Sequence, residues 1–403
     1  MNTTTSNLRI LIVGGGIAGN AVALQLLRAG VRTTVVERSP EPRPGGQAVD
    51  LRGPSREVAE RMGLMAGVRK YQLHEEGMAL VDRKGAPVYR MPAEMFDGKG
   101  PVADIEITRG DLNQVLLTEI AATPGDLDYR YGEWVRAIEQ DDTGVAVTFA
   151  SGPTERFDLV IGADGVHSAT RTLVFGPEER FATYLGGYMS FFTMPTPAGI
   201  EPNWMTMHAI PRASVGIRPD ADPSTCKAII TLRTEANPAL RRDVAAQQQL
   251  IRDMLAEAGW IAPTVLAAMP EATDFYFDEL DRVDMPSLSA GRVTLLGDSA
   301  FCGSPMTGMG TAMAIVGAYI LAGEIAATPG DLEGALARYE TAITPFLDQA
   351  KELPGGGLSM MLPTSQFGLK AAHTVGKLMT TRLFRPIMMK MVSKTDDYEL
   401  PVY

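Results

Sequence analysis

A glycine cluster between an apolar strand and an apolar helix most constrains how this chain can fold. Residues Leu8 to Val13 form an apolar, β-branched run, Gly14 to Gly19 follow it, and Ala18 to Ala29 continue with a helical pattern. The next apolar run, Val31 to Glu37, predicts a second strand. A strand, a helix and a strand in this order form a β-α-β unit with parallel strands, so the sequence predicts an α/β fold.

The glycines also indicate a phosphate-binding turn. The sequence Gly14-Gly15-Gly16-Ile17-Ala18-Gly19 has the pattern G-x-G-x-x-G, which permits a tight turn, the close approach of a pyrophosphate and close helix packing. The N-terminus of the helix supplies N–H donors and the positive end of its dipole. Glu37 closes the next strand, where a carboxylate can bind the ribose hydroxyls of an adenosine. We therefore predict a Rossmann-like domain with dinucleotide contacts from these residues: Gly14, Gly16, Ala18, Gly19, Glu37 and Arg38.

Two later strands each end in an acidic residue. Asp158 to Ala163 precede Asp164-Gly165, and Arg292 to Leu296 precede Gly297-Asp298. Because ligands bind at the carboxyl ends of parallel strands, we expect both aspartates at the same edge of the sheet.

The second of these segments favours FAD over NAD as the cofactor. A further helix start, with the sequence Gly308-x-Gly310-Thr311-Ala312, follows Asp298. The carboxylate can accept hydrogen bonds from ribitol hydroxyls, and the helix dipole can stabilise negative charge on a reduced flavin. We therefore predict FAD contacts from this second group of residues: Asp164, Asp298, Pro305, Gly308, Gly310, Thr311 and Ala312.

Alternating apolar and polar residues between these strands indicate a second domain. Gly187 to Thr193, Asn203 to Arg212 and Lys227 to Thr234 have the period of half-buried antiparallel strands. The predicted fold is a Rossmann-like FAD-binding domain with an inserted antiparallel β-sheet substrate domain and a C-terminal helix. The predicted FAD-binding domain comprises residues 1–75, 100–175 and 280–340, the substrate-binding domain 76–99 and 176–279, and the C-terminal helical segment 341–403.

Composition narrows the choice of partners. The chain has 37 Lys and Arg against 48 Asp and Glu, a net charge of -11, which argues against nucleic acid and anionic membranes and favours a small-molecule partner. Its two cysteines, Cys226 and Cys302, support neither a disulfide framework nor a metal site, so we expect a reducing, cytoplasmic setting and no metal. Nothing in the sequence decides the oligomeric state.

No stable membrane insertion is expected either. The longest apolar stretch, Ala312 to Gly323, is too short to span a bilayer and ends at Glu324, and we predict that it is a buried helix. The stretch Leu358 to Ser393 is rich in methionine and basic residues, and we interpret it as a lid or bracing helix. A membrane-surface helix is the alternative for this stretch, which Pro363 and Pro386 disfavour by interrupting it.

Three signatures in order resemble those of the flavoprotein aromatic hydroxylases. They are the glycine pattern Gly14 to Gly19, the D-G segment Asp164-Gly165-Val-His-Ser168-Ala-Thr-Arg171, and Gly297-Asp298. The resemblance spans about the first 340 residues, and three motifs in order are more specific than any one of them. It implies an FAD-dependent monooxygenase that uses NADPH or NADH and O2 to hydroxylate an aromatic small molecule.

The segment Arg43 to Leu51 is similar to the tetracycline-inactivating branch of that family. This similarity implies contact with the nicotinamide cofactor for Arg43 and contact with FAD for Gln47, Asp50 and Arg109. It also implies a polyketide-like or tetracycline-type substrate and, with it, antibiotic resistance. Arg109 has an alternative interpretation as a surface charge at a helix end.

Some positions depart from the family pattern. The family often has G-D-A-A-H, whereas this chain has Gly297-Asp298-Ser299-Ala300-Phe301. Where the family has a later asparagine and a later aspartate, this chain has Ala312 and Gly317. These changes leave FAD binding intact and affect the substrate side. We predict a substrate pocket lined by aromatic, methionine, histidine and proline side chains, each with an alternative role in the core: Phe191, Met207, His208, Phe301, Pro305 and Met306.

No catalytic base is predicted, because the family chemistry rests on the flavin while the protein supplies position, a dry pocket and charge stabilisation. Other functions stay open at this point. A flavin halogenase would need a W-x-W-x-I-P segment, whereas Trp134, Trp204 and Trp260 are far apart; a disulfide reductase would need a close cysteine pair. An FAD-dependent oxidoreductase or flavin-binding protein without oxygenase activity is the remaining alternative.

Overall fold

The computed structural model describes residues 8–43, 45–96, 105–352, 357–381, 384 and 398–403. These residues form the following strands: β1 Arg9–Val13, β2 Arg32–Glu37, β3 Ala48–Asp50, β4 Gln72–Leu73, β5 Gly77–Val81, β6 Pro87–Pro92, β7 Glu106–Thr108, β8 Leu127–Tyr131, β9 Val135–Asp141, β10 Gly144–Phe149, β11 Thr154–Phe157, β12 Leu159–Gly162, β13 Ala182–Pro195, β14 Trp204–Ile210, β15 Ala213–Pro219, β16 Thr225–Arg233, β17 Tyr276–Val283, β18 Ser289–Ala290 and β19 Val293–Leu295.

The same residues form these α-helices: α1 Ile17–Arg28, α2 Gly53–Arg61, α3 Met65–Lys70, α4 Arg109–Ala122, α5 Ala169–Val174, α6 Val244–Leu255, α7 Ala262–Ala268, α8 Asp298–Phe301, α9 Gly310–Ala327, α10 Leu332–Ala350, α11 Leu358–Met361 and α12 Gln366–Met379. Four basic residues near the end of the chain, Arg382, Arg385, Lys390 and Lys394, lie outside the described residues.

A parallel sheet with β1 near its centre organises the first part of the fold. Its strand order is β18-β19-β12-β1-β2-β8, and only the edge strand β18 runs antiparallel to its neighbour. The side chains of β1 alternate between two cores. Ile10 and Ile12 pack with the helices of one face, whereas Leu11 and Val13 pack with the β9-β10-β11 meander on the other. Burial on both faces explains why the strand is continuously apolar, and the predicted α/β fold is confirmed.

A second large sheet is mixed and has seven strands. Its order is β17-β13-β16-β15-β14-β5-β6, antiparallel except for the pair β14 and β5. One face packs on α6 and α7 through contacts such as Ile230 with the cluster of Ile251 and Leu255. The other face carries Leu80 and Ala209, and α11 and α12 cover part of it. The predicted strands over residues 187–193, 203–212 and 227–234 are present as β13, β14 and β16, and the predicted boundary at residues 279 and 280 falls within β17.

Buried charges join the mixed sheet to a small third sheet, β3-β7-β4. The guanidinium of Arg218, on β15, forms ion pairs with Glu75 and with Glu106 of β7, and all three side chains are largely buried. Its third contact is a 3.3 Å hydrogen bond to the carbonyl of Ala48. A buried pair contributes little net stability, but it fixes geometry because breaking it leaves a buried charge without compensation.

Helix α9 runs through the centre of the core. It continues to Ala327, past the end of the apolar stretch at Glu324, and the predicted buried helix is present. The charge of Glu324 is tolerated because its carboxylate accepts hydrogen bonds from Arg338 at 2.8 Å and from the Tyr403 hydroxyl at 2.9 Å. By length and composition α9 could cross a membrane, but 72% of it is buried inside the protein. Its apolar surface is therefore accounted for by core packing.

Phe301 and Gly317 form a matched pair between α8 and α9. A Cβ added to Gly317 would lie 3.1 Å from Cζ of Phe301 and 3.0 Å from Cδ1 of Leu296. The aromatic ring thus occupies the space that a side chain at position 317 would need. These two departures from the family pattern are complementary, because the absence of a side chain at Gly317 leaves room for the ring of Phe301.

This coupling can be tested by unfolding in urea. Gly317→Asp should lower the free energy of unfolding by about 3 kcal/mol or more, because it crowds the ring and buries a carboxylate in the apolar core. Adding Phe301→His should recover part of the loss, because an imidazole can pair with that carboxylate. Gly330→Asp, at an exposed turn with open space around it, is the control. Equal stability of the single and double variants would contradict the coupling.

Candidate active site

The glycine turn presents an open helix N-terminus. Gly14 has φ +110°, and its N–H donates to the Val36 carbonyl at 2.8 Å. A Cβ on Gly19 would lie 1.9 Å from the carbonyl oxygen of Gly14, whereas a Cβ on Gly16 would meet nothing within 4 Å. No side chain caps α1. The first N–H groups of α1 therefore face open space, which is the arrangement that binds a phosphate.

A buried polar network holds this turn in place. Asn20, which is fully buried, donates to the Gly15 carbonyl at 2.8 Å, and Asn113 of α4 donates to the same carbonyl at 3.2 Å. The Tyr129 hydroxyl completes the network with a 3.0 Å bond to Asn20. The sequence analysis missed these residues, although a lone asparagine among the apolar residues of α1 is a signal that could have been used.

Glu37 lies where the glycine pattern predicts it. Its carboxylate accepts hydrogen bonds from the N–H of Gly15 at 2.8 Å and of Ser39 at 2.7 Å. Two oxygens with two bonds keep further acceptor capacity for a hydroxyl ligand. The neighbouring Arg38 is exposed.

The loop that carries Gly45 to Gln47 lies against the start of α4. The N–H groups of Gly110 and Arg109 donate to the carbonyls of Gly45 at 2.7 Å and Gln47 at 2.9 Å. Both glycines of the loop have positive φ, 71° for Gly45 and 88° for Gly46, and a Cβ on Gly46 would lie 3.4 Å from Cβ of Arg109. The side chain of Arg109 is exposed and forms no ion pair with any described residue, so it is available to an anion.

Arg43 and Asp50 lie at the two ends of this segment. Arg43 is exposed. Asp50, on β3, forms an ion pair with Arg52, and burial raises the pKa of its carboxyl group above the ordinary value. Its Oδ1 atom is buried and has no hydrogen-bond partner among the described residues. Such an atom indicates a place where a further donor would be stabilising.

The ends of β12 and β19 meet beside the glycine turn. The Ser299 hydroxyl donates to the Gly162 carbonyl at 2.6 Å, which ties the two strand ends together. Gly297 has φ +70°, and a Cβ there would lie 2.8 Å from Cβ of Ala18 in the first turn of α1. The start of α8 therefore touches the start of α1.

Asp298 and the start of α9 lie beside the start of α1. We call the space between these helix starts the cleft. Oδ1 of Asp298 lies 3.8 Å from the position that a Cβ on Gly310 would take. Within the described part of the chain, the Asp298 carboxylate makes no hydrogen bond or ion pair. No side chain caps α9, so the N–H groups of Gly310, Thr311 and Ala312 lie at an open helix start. Gly308 and Pro305 are exposed on the loop before it.

The Asp164 carboxylate forms hydrogen bonds within its own loop. Its carboxylate accepts hydrogen bonds from the Ser168 hydroxyl at 2.5 Å and from the N–H of Thr170 at 2.9 Å, while burial raises its pKa. Arg171 of the same segment is fully buried and donates to the carbonyls of Ser299 at 2.9 Å and Val166 at 2.6 Å. The D-G segment therefore braces the loop that presents Asp298.

Tyr276 is a residue of the cleft that the sequence analysis missed. It keeps 43% of its surface accessible, yet the protein around it raises the pKa of its hydroxyl well above the ordinary value. The charges of Asp278, Arg109 and Asp298 also act on its hydroxyl. Its hydroxyl donates to Asp278 at 2.8 Å.

The predicted pocket residues divide between two faces of the mixed sheet. Phe191 lies across from Tyr276, with ring centroids 6.2 Å apart, and Met207 and Met306 belong to the apolar cluster of the same face. His208 follows Met207 along β14, so its side chain points to the opposite face. There its Nδ1 lies 2.9 Å from the Val81 carbonyl, which corrects the expectation that His208 and Met207 line one pocket.

Phe301 also lies away from the pocket. Its ring is 1% exposed and belongs to the core of the parallel-sheet domain, over Gly317. The two cysteines are buried free thiols. No group of three or more His, Cys, Asp or Glu side chains in the described ranges is placed to hold a metal ion.

His167 joins the D-G segment to the mixed sheet. Its Nε2 lies 3.0 Å from Asp278, and its Nδ1 lies 3.1 Å from Glu178. The hydrogen bond to Asp278 is the largest cause of a pKa raised to about 10, followed by the bond to Glu178. His167 is therefore protonated at neutral pH and donates to a carboxylate on each side.

Comparison with known proteins places this geometry in a family context. A family model described as "FAD binding domain" matches residues 7–352. A flavin-dependent monooxygenase of Legionella longbeachae is 36% identical over 344 residues, covering 85% of this chain and 87% of the relative. An uncharacterised protein of Mycobacterium tuberculosis is 38% identical over 354 residues, covering 86% of this chain and 94% of the relative. The crystal structure of tetracycline destructase Tet(51) matches with a TM-score of 0.81 at 32% identity, over 98% of this chain and 100% of that one.

Two alanine substitutions in the glycine turn should separate folding from ligand binding. Gly16→Ala has open space and should leave the melting temperature of the flavin-free protein within about 2 °C, while its methyl group occupies the phosphate cradle and lowers flavin content at least about tenfold. Gly19→Ala should instead lower the melting temperature, because its Cβ would overlap the Gly14 carbonyl. Thermal unfolding and flavin absorbance measure the two effects. A Gly16→Ala protein with full flavin content would contradict the assignment of the cradle.

Proposed function

This chain belongs to the FAD-binding-domain family of flavoprotein aromatic hydroxylases and is an FAD-dependent monooxygenase, and from that premise we propose that it uses NADPH or NADH and O2 to hydroxylate a multi-ring phenolic compound of the tetracycline type. The observation that carries the proposal is the convergence of two open helix N-termini, those of α1 and α9, with the carboxylate of Asp298 at one cleft.

The described residues fit FAD along the length of this cleft. The N-terminus of α1, with open space at Gly16, would bind the pyrophosphate, and Glu37 would accept from the ribose hydroxyls. Asp298 would accept from the ribitol hydroxyls, and the N–H groups at the start of α9 would stabilise negative charge on the reduced ring. Bound there, FAD supplies the redox chemistry, accepting a hydride and activating O2.

The residues between these two ends have proposed supporting roles. Arg109 would neutralise phosphate charge, because it is exposed beside the Gly45 to Gln47 loop and forms no ion pair with a described residue. Asp50 would offer its unpartnered Oδ1 to a donor of the cofactor. Arg43, at the outer end of the loop, would bind the nicotinamide cofactor. Asp164 acts indirectly, since its carboxylate shapes the loop that Arg171 braces.

The substrate side combines apolar contact with one phenol group. Phe191, Met207 and Met306 provide an apolar face that excludes water and can contact aromatic rings. The accessible Tyr276 hydroxyl can hydrogen-bond a substrate hydroxyl while it donates to Asp278. Similarity to tetracycline destructase Tet(51) over the whole chain supports a tetracycline-type substrate, and modification of such a compound would confer antibiotic resistance. The proposed setting is the reducing cytoplasm, because both cysteines are free thiols.

The proposed reaction predicts that tetracycline accelerates anaerobic reduction of the flavin by NADPH or NADH. Stopped-flow absorbance measures this step, and mass spectrometry after mixing with O2 should show a product 16 Da heavier, the mass of one oxygen atom. A phenolic ligand without fused rings serves as the comparison. Reduction without product would identify an oxidase. If tetracyclines neither bind nor accelerate reduction, the substrate class is wrong.

Arg43→Ala should raise the KM for the nicotinamide cofactor about tenfold with little change in flavin content, because it removes one charge-assisted contact. Steady-state kinetics and the flavin-to-protein absorbance ratio measure the two quantities. Arg32→Ala, which removes an exposed arginine paired with Asp126, is the control for charge. Loss of flavin with an unchanged KM would reassign Arg43 to FAD.

A further inference from the structure

Helices α11 and α12 cover part of the mixed sheet with their inner faces. Leu358 of α11 and Leu369 of α12 are buried in the apolar cluster that also contains Met207. A Cβ added to Gly376 would lie 2.6 Å from Cε1 of Tyr89, so α12 lies directly on β6. These contacts account for only one face of α12.

The outer face of α12 is apolar as well. Phe367, Val375 and Leu378 expose 84%, 57% and 49% of their surface. Together with the exposed Ala371 they follow one another at intervals of four, four and three residues, which aligns them along one side of the helix. We call these four side chains the outer stripe. A soluble protein rarely exposes a contiguous apolar surface of this kind without a partner for it.

Two lysines form a row beside the outer stripe. Lys370 and Lys377 are exposed and lie seven residues apart, which is two helical turns, so they share one flank of the stripe. Among the described residues, neither lysine forms an ion pair. An exposed apolar stripe with a basic flank is the arrangement of a helix that lies in a membrane interface.

The charge of this part of the chain is opposite to that of the remainder. In a protein whose net charge is -11, the sequence between Glu352 and Asp396 has no acidic residue and six basic ones: Lys370, Lys377, Arg382, Arg385, Lys390 and Lys394. The acidic excess therefore lies entirely in the remainder of the chain. A surface that is both apolar and basic is complementary to anionic lipid headgroups and the acyl chains beneath them.

Neither proline of the C-terminal stretch lies within α12. Pro363 precedes the N-cap residue Ser365, whose hydroxyl accepts a hydrogen bond from the N–H of Gly368 at 3.1 Å. Pro386 follows the last residue of the helix, Met379. The uninterrupted helix has 14 residues, which gives a length of about 21 Å. The outer stripe therefore has a continuous helix to support it.

A second copy of the chain fits this surface less well than a lipid bilayer does. Residues 357–381 contain no acidic side chain, so two outer stripes packed together would leave Lys370 and Lys377 without a partner of opposite charge. Anionic headgroups supply such partners. The net charge of the whole protein does not prevent this contact, because at physiological ionic strength charges act over about 8 Å. Strand β6, which lies beneath α12, carries Arg90 and no acidic residue.

We propose that the outer stripe and its two lysines dock the protein on an anionic lipid bilayer, with α12 lying in the plane of the headgroups. Phe367, Val375 and Leu378 lie below the headgroups, and the lysines bind them. Since a helix is about 10 Å thick, the apolar cluster of the mixed sheet then lies close to the lipid. The inference goes beyond the proposed function, because this binding needs no turnover.

Flotation of the full, FAD-loaded protein with lipid vesicles tests the docking surface. The vesicles contain phosphatidylcholine alone or an equal mixture of phosphatidylcholine and phosphatidylglycerol. The protein should bind the mixed vesicles at least about tenfold more strongly, and added salt should weaken this binding. Phe367→Gln and Leu378→Gln should each weaken it about tenfold or more, because each removes apolar area that the lipid buries. Lys370→Gln and Lys377→Gln should each weaken it about fivefold.

Two control variants should leave the binding unchanged. Val402→Gln removes an apolar side chain that is 85% exposed next to Tyr403, and Arg56→Gln removes one exposed positive charge on α2. Flavin content and melting temperature show that each variant is folded. Absence of binding, equal binding to both kinds of vesicle, or equal binding by the wild type and the α12 variants would overturn the proposal. A dimer in light scattering that Phe367→Gln dissociates would assign the outer stripe to a second copy and would also overturn it.

Discussion

The close contact between the first turn of α1 and the strand ends on both sides of it is the constraint on which the site depends. Gly19 permits α1 to lie directly against the Gly14 carbonyl, and Gly297 permits the later loop to touch Ala18. Buried polar groups lock both contacts: Asn20 on one side and Arg171 on the other. Because these contacts leave no room for a Cβ, the two halves of the cleft keep a fixed separation. A rigid, extended ligand can then bind both halves at once.

The sequence predicted those parts of the fold that depend on local pattern. The β-α-β unit, Glu37 and the aspartates at two strand ends follow from apolar periodicity and chain direction, and the structure has strands and helices at these places. Tyr276 and the Asn113 contact could not be predicted, because they come from elements far apart in the chain. The orientation of His208, by contrast, could have been predicted. The period of two along a strand already implied that His208 and Met207 point in opposite directions, and that rule was not applied.

The interface between the two sheet systems is polar as well as apolar. Arg218 bridges Glu75 and Glu106, and the protonated His167 lies between Glu178 and Asp278. Because the folded pKa of His167, about 10, lies above its unfolded value, its contribution is fully present below the unfolded pKa and is lost as the pH rises toward 10. Charged contacts of this kind specify one relative orientation of the sheets. A purely apolar interface would permit the sheets to slide past each other. Tyr276 belongs to the same interface, because its hydroxyl donates to Asp278.

Helix α9 has consequences beyond the cleft. Its first turn lies beside Asp298, and its last turns are anchored at Glu324 by Tyr403, whose ring lies directly over Gly323. Eighteen residues of helix form a rod about 27 Å long. Strain introduced at the C-terminal anchor can therefore travel along the rod to the opposite side of the protein. Substitutions near Tyr403 and substitutions of cofactor contacts could then lower cofactor binding in the same way. An assay of cofactor content alone would not distinguish an indirect effect through α9 from the loss of a direct contact.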